Sequence, residues 1–177
     1  MKTTYQIDPA HSSAQFTVRH MMITNVRGGF RSVKGTVVYD PANPSETRIE
    51  AIIDAGSINT MDEQRDAHLK SADFLDAEKY PTITFRSNKV ESGKITGDLT
   101  IHGVTREVVL DVDGPTSEAK DPFGNTRMGA SATTKIKRSD FGLSWNAALE
   151  TGGILVGDDL KIAVEVSMIK TEAKAAG

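Results

Sequence analysis

Apolar and polar residues alternate one for one along most of this chain, and a two-residue period marks half-buried β-strands. Ala14, Phe16 and Val18 alternate with Ser13, Gln15, Thr17 and Arg19. Val33, Gly35, Val37 and Tyr39 follow, then Ile49, Ala51 and Ile53. The pattern returns at Ile83 and Phe85, at Ile95 to Ile101, and at Val108, Leu110 and Val112. Ala130, Ala132, Thr134 and Ile136 precede the last run, Leu160, Ile162, Val164, Val166 and Met168. Short turn signals join most runs: DPANPS, ESG and HGV, with DGPTSEAKDPFGN as a longer hairpin loop. One apolar face per strand implies antiparallel pairing. The expected fold is all-β. About eight strands in succession suit a closed antiparallel up-and-down barrel, which leaves no unpaired edge. A two-sheet sandwich satisfies the same pattern.

One stretch breaks the period. RDAHLKSADFLDAEKYP, Arg65 to Pro81, reads as a short helical insertion near residues 61–75. Thr60 or Asp62 would cap it, Arg65, Leu69 and Phe74 would face inward, and Pro81 would mark the return to strand. With no repeat and no linker, residues 1–177 form a single domain with a frayed tail over about 171–177.

The inward face carries many small residues: Ala14, Gly35, Ala51, Gly97, Ala130 and Ala132. Two readings remain open. Small residues leave volume for one ligand within apolar walls, or they fit the barrel's taper while large neighbours fill the space. On the first reading the candidate ligand-binding lining is Phe16, Val18, Val37, Ile53, Phe85, Leu99, Leu110, Ala132, Ile162 and Val164. Trp145, in FGLSWNAALETGG between the last two strands, joins that set as a plug or mouth residue, with core packing as its competing role.

Composition narrows the function. A net charge of -3 and the lack of any Lys/Arg cluster argue against nucleic acid. With no cysteine there is no disulfide, thiolate nucleophile or Cys-ligated metal. No apolar run is long enough for a membrane span. MKTTYQIDPA has no apolar core of a leader, so the expected location is cytoplasmic, or periplasmic where a leader has been removed.

Candidate chemistry is sparse. His11, His20, His68 and His102 fall in no metal-binding spacing, so no metal and no cofactor are expected. HSS, His11 to Ser13, lacks the nucleophile elbow of a serine hydrolase, and SGK lacks the phosphate-loop glycine spacing. No catalytic residue is assigned. Arg19, Arg27, Arg65 and Arg138 suit an anionic head group, against structural ion pairing as the alternative.

Several stretches together resemble one family, the YceI-like polyisoprenoid-binding or lipid-binding proteins. They are IDPAHSSAQFTVRHMMITNVRGGF, SINTMDEQRDAHLKSADFLDAEKYPTITF, GDLTIHGVTREVVLDV, RSDFGL and VGDDLKI. The resemblance spans nearly the whole chain in order. It implies a lipocalin-like barrel holding one long-chain lipid, such as a polyprenyl lipid, isoprenoid quinone or fatty amide, and it implies no enzyme mechanism. Transport, storage or stress response would be its use, and a homodimer is a known family state. His20, Arg65, Asp66 and His68 match the family's polar positions, so they are expected as a polar rim at one barrel end. Closure of the barrel, head-group contact, or an enzyme site on a small or lipid substrate would each use that cluster.

Overall fold

The structure, a computed structural model, describes residues 1–149, 153 and 155–171. From position 172 onward, the tail expected to fray lies outside the described residues.

The strands are β1 (Thr3–Ile7), β2 (Ser13–His20), β3 (Thr24–Phe30), β4 (Val33–Tyr39), β5 (Arg48–Asp54) and β6 (Ile58–Asn59). They continue as β7 (Thr82–Glu91), β8 (Lys94–Ile101), β9 (Val104–Asp113), β10 (Ala119–Lys120), β11 (Thr126–Lys137) and β12 (Val156–Lys170). The α-helix α1 (Glu63–Lys70) interrupts them. Every pairing is antiparallel, and β1-β4-β5-β7-β8-β9-β11-β12 close into an eight-stranded barrel when β12 returns to β11. That seam runs from Arg127↔Ile169 to Lys137↔Asp159, so no sandwich edge is left along it.

The first barrel strand is broken. β1 and β2 both pair with β12, and between them Asp8 caps a short 3-10 turn, accepting from the Ala10 N–H at 3.0 Å. Ser12 ties the break back to β12: its Oγ accepts from the Ser167 N–H at 3.0 Å and donates to the Ser167 carbonyl at 3.2 Å. The return strand is likewise split into β3, which pairs with β2, and β4, which pairs with β1. β1 and β3 were not among the expected strands. In β3 the pair Gly28-Gly29 erases the alternation, because a Cβ at Gly28 would lie 2.5 Å from the Phe16 ring.

The two barrel ends differ. At one, the cover end, α1 and the turns through Tyr80 are inserted between β6 and β7. Asp62 caps the helix by accepting from the Arg65 N–H at 3.0 Å. At the other, the turn end, short connections link β4–β5, β7–β8 and β9–β10. The buried residues fall into two clusters: Ala55, Ile58, Leu75, Ile101, Phe141 and neighbours at the cover end, and Tyr5, Ile7, Val33, Val37, Met128 and Met168 toward the turn end.

Candidate functional site

A cavity of about 730 Å³ runs through the barrel between these clusters. Strand alternation places its walls: Phe16, Val18, Val37, Ile53, Phe85, Leu99, Leu110, Ala132, Ile162 and Val164 all line it. The small residues divide between the two readings. Ala14, Ala51, Ala130 and Ala132 border the cavity. Gly97 instead makes room for a neighbour, since a Cβ there would lie 2.5 Å from the Phe85 ring and 2.5 Å from the Arg86 carbonyl.

The lining is overwhelmingly apolar, and its charged members are Glu91 and Arg138. Glu91 sits at the turn end beside exposed Pro44, Ser45, Ser92 and Pro115, so the cavity reaches solvent there. The cover end is sealed by Leu69, Phe74, Leu75 and Leu143, with Phe74 and Leu75 each 8 % exposed.

Arg138 is the feature sequence reading weighted too lightly. It is 5 % exposed and bonds four carbonyls: Leu143 at 2.7 Å, Gly157 at 2.8 Å, Trp145 at 2.9 Å and Val156 at 3.1 Å. Burial pushes its pKa below the usual guanidinium value, while Asp158 opposes that shift. An arginine keeps its charge under such a shift. The signal in the sequence was RSDFGL, an arginine opening a turn after an apolar strand; two of the carbonyls it gathers, Leu143 and Trp145, follow in the same turn, and two, Val156 and Gly157, come from the start of β12.

Of the four residues expected at the rim, none lines the cavity; Arg65, Asp66 and His68 lie in the cover at one barrel end. Arg65 and Asp66 both grip Thr60, which is 3 % exposed. Arg65 donates to Thr60 Oγ1 at 2.8 Å and to its carbonyl at 2.6 Å. Asp66 accepts from the Thr60 N–H at 2.8 Å and hydroxyl at 2.5 Å. Those bonds pin the helix to the end of β6. His68 bonds Asp73 at 2.9 Å and meets Phe74 and Trp145 edge-on, with centroids 5.1 and 4.7 Å away. Trp145 is thus a packing element outside the cavity lining, 5.2 Å from Phe74. His20 ends β2 opposite Val156 and Thr24. His11 bonds Asp8 at 2.8 Å and Ser12 bonds Ser167, which accounts for the HSS motif structurally.

A second charged network lies on the far side. Arg127 bridges Asp8 at 2.7 Å and Asp121 at 2.6 Å, joining the strand break to the loop before β11. Hydrogen bonds from Arg127 and His11 hold the Asp8 carboxyl down at about 2. The Arg127 guanidinium also holds Asp121 well below the carboxylate range. Burial and Glu118 push the Tyr5 hydroxyl up to about 12. Among the described residues no three His, Asp or Glu side chains gather to hold a metal ion, and no helix is long and apolar enough to cross a membrane.

The barrel interior is apolar, open at one end and covered at the other, and comparison with known proteins gives the chain's family. The YceI-like domain family matches residues 5–168, and this chain belongs to that family. A Staphylococcus aureus relative, UPF0312 protein SA2479, is 39 % identical over 160 residues, covering 90 % of this chain and 93 % of the relative. The crystal structure of the Campylobacter jejuni YCEI protein superposes with a TM-score of 0.70 at 35 % identity, covering 87 % of this chain and 90 % of that one. A polyisoprenoid-binding domain from Saccharophagus degradans shares the fold with a TM-score of 0.70 at 15 % identity, covering 96 % and 99 % of the two chains.

Proposed function

We propose that this chain is a binding protein rather than an enzyme, and that it holds one long-chain isoprenoid or other amphipathic lipid in the barrel. A polyprenyl lipid, an isoprenoid quinone or a fatty amide is the ligand class, held for transport, storage or stress response. The observation that carries this reading is the continuous apolar cavity. Its size falls in the range of small-ligand sites. Apolar chain fills apolar walls better than water does, by about 25 cal/mol for each Å² buried. The likeness to a domain described as polyisoprenoid-binding supports the same ligand class.

Mass spectrometry of an organic extract, beside native mass spectrometry of the intact protein, tests this. One long-chain lipid per chain, absent from a control protein purified identically, is expected. A protein that arrives empty and then takes up no polyprenyl, quinone or acyl-amide lipid in excess would overturn the reading.

A further inference from the structure

The tip of the β2–β3 hairpin breaks a local rule. The Ile23 N–H bonds the His20 carbonyl at 3.1 Å, making a β-turn whose central residues are Met21 and Met22. Both have positive φ, 51° and 60°. A turn with both central residues in that region ordinarily carries Asn-Gly or Asp-Gly, because a larger side chain is strained there. Here two methionines take those places and face outward, Met21 being 42 %, Met22 60 % and Ile23 68 % exposed. A third methionine repeats the choice: Met61 has φ 65° and is 89 % exposed. Neither turn formation nor core packing explains strained, exposed thioethers at all three sites.

The surroundings are cationic. From Pro9 to Tyr39 the sequence has no Asp or Glu but carries Arg19, Arg27, Arg31 and Lys34, within a chain of net charge -3. Strand register extends this charge sideways. Lys135 pairs with Lys161, Lys161 with Thr17, and Thr17 with Arg27, forming one row across the outer face of β11, β12, β2 and β3. Like charges directly opposite are unfavourable in a sheet unless something anionic meets them. Arg27, Arg31, Lys135 and Lys161 line an outer groove that Met61 also borders. Asp159 bridges Lys135 at 3.3 Å and Asp111, on the groove wall, bridges Lys94 at 2.8 Å, so among the described residues Arg27 and Lys161 are the cations of the row without an ion-pair partner.

We propose that the β2–β3 hairpin docks the barrel on an anionic lipid bilayer, with Met21, Met22 and Ile23 entering the acyl boundary and the Arg19, Arg27 and Lys161 surface meeting phosphate headgroups. Apolar side chains flanked by cations are what such a surface recognises. This rests on the lipid-binding reading and adds which face of the barrel meets the membrane. The tip belongs to the cover end: the Met21 N–H donates to the Leu155 carbonyl at 2.7 Å, and Met22 Sδ lies beside Gly153, where a Cβ would be 2.2 Å away. Leu143, on the cavity wall, and Trp145, its ring 5.2 Å from that of Phe74, lie at the same barrel end. The docked face is therefore the cover end.

Co-sedimentation of the full chain with vesicles of equal parts phosphatidylglycerol and phosphatidylcholine, beside pure phosphatidylcholine, reads docking directly. Cavity loading is followed separately by displacement of a fluorescent long-chain acyl probe in vesicle-free buffer. Binding to the anionic vesicles only, lost as salt rises, is expected. Arg19→Gln with Arg27→Gln should weaken it roughly tenfold or more. Met21→Asn with Met22→Asn should weaken it as much while keeping the melting temperature and probe loading, since Asn suits positive φ. Loading without vesicle binding, or vesicle binding that the asparagine pair leaves unchanged, overturns docking and leaves lipid carriage standing. Vesicle binding without loading supports docking and removes lipid carriage instead.

Discussion

Phe74 lies across the guanidinium of Arg138, with 6.0 Å from guanidinium carbon to ring centroid, and both residues border the sealed end of the cavity. The contact joins the two halves of the stopper. Phe74 comes from the helical insertion between β6 and β7, whereas Arg138 organises the carbonyls of the chain between β11 and β12. Losing Arg138 would strand four acceptors at once. Arg138→Met should destabilise the protein, each carbonyl left buried and unpaired costing about 1–3 kcal/mol. Arg138→Lys should recover only part of this, because an ammonium lacks the planar fork that reaches separate carbonyls. Urea denaturation of the three proteins checks the order.

Ala132→Trp should fill cavity volume and lower lipid occupancy in native mass spectra with the fold retained, since Ala132 borders open space. Gly97→Ala should behave differently. It pushes on the Phe85 ring and the Arg86 carbonyl, so it should lower stability by about 1–3 kcal/mol. Equal effects of the two changes on lipid uptake would contradict the division of small residues into cavity and taper positions.

Thr60→Val removes the hydroxyl that Arg65 and Asp66 share. The expected cost is about 1–3 kcal/mol, concentrated in the cover. Hydrogen exchange should quicken across Glu63 to Leu75 and stay slow in β11 and β12. Uniform quickening would show that the cover and barrel open as one unit.

Acid should weaken the molecule through Asp8 and Asp121. Their folded pKa values are depressed below the ordinary 3.8, Asp8 to about 2, so the folded state binds fewer protons than the unfolded chain. The stability they contribute is complete above the unfolded value and is lost as pH falls through the folded one. Arg127→Met should flatten the acid limb of a melting-temperature profile between about pH 5 and pH 2. Tyr5 behaves in the opposite sense. Its raised value keeps the phenol neutral in the fold, so that contribution is present below pH 10.0 and lost as pH rises through about 12. Ultraviolet titration should show one late tyrosine, which Tyr5→Phe removes.

How much of this was written in the chain differs from element to element. Ala14, Phe16 and Val18 show the strand face at a glance, because a two-residue period is a local property and the pleat turns it directly into inside and outside. Asp62 and Pro81 bracket the insertion for the same local reason. β1 was legible in retrospect from the alternation of Tyr5 and Ile7, whereas β3 was not, its glycines being shaped by the Phe16 ring.

The sequence by itself determined the antiparallel strands, the direction their side chains face, and the apolar character of whatever they enclose. Only the tertiary structure decided that the enclosed space is a cavity, that Gly97 does not contribute to it, and that Arg65 and Asp66 bind Thr60 instead of facing it. It also decided that Arg138 stands at the sealed end and that cations from β11, β12 and β3 form one row across β2. The physical reason is the range of the interactions involved. Alternation is set by neighbours along the chain, but volume, hydrogen-bond partners and charge rows depend on residues brought together by strand register, and register is a property of the closed barrel.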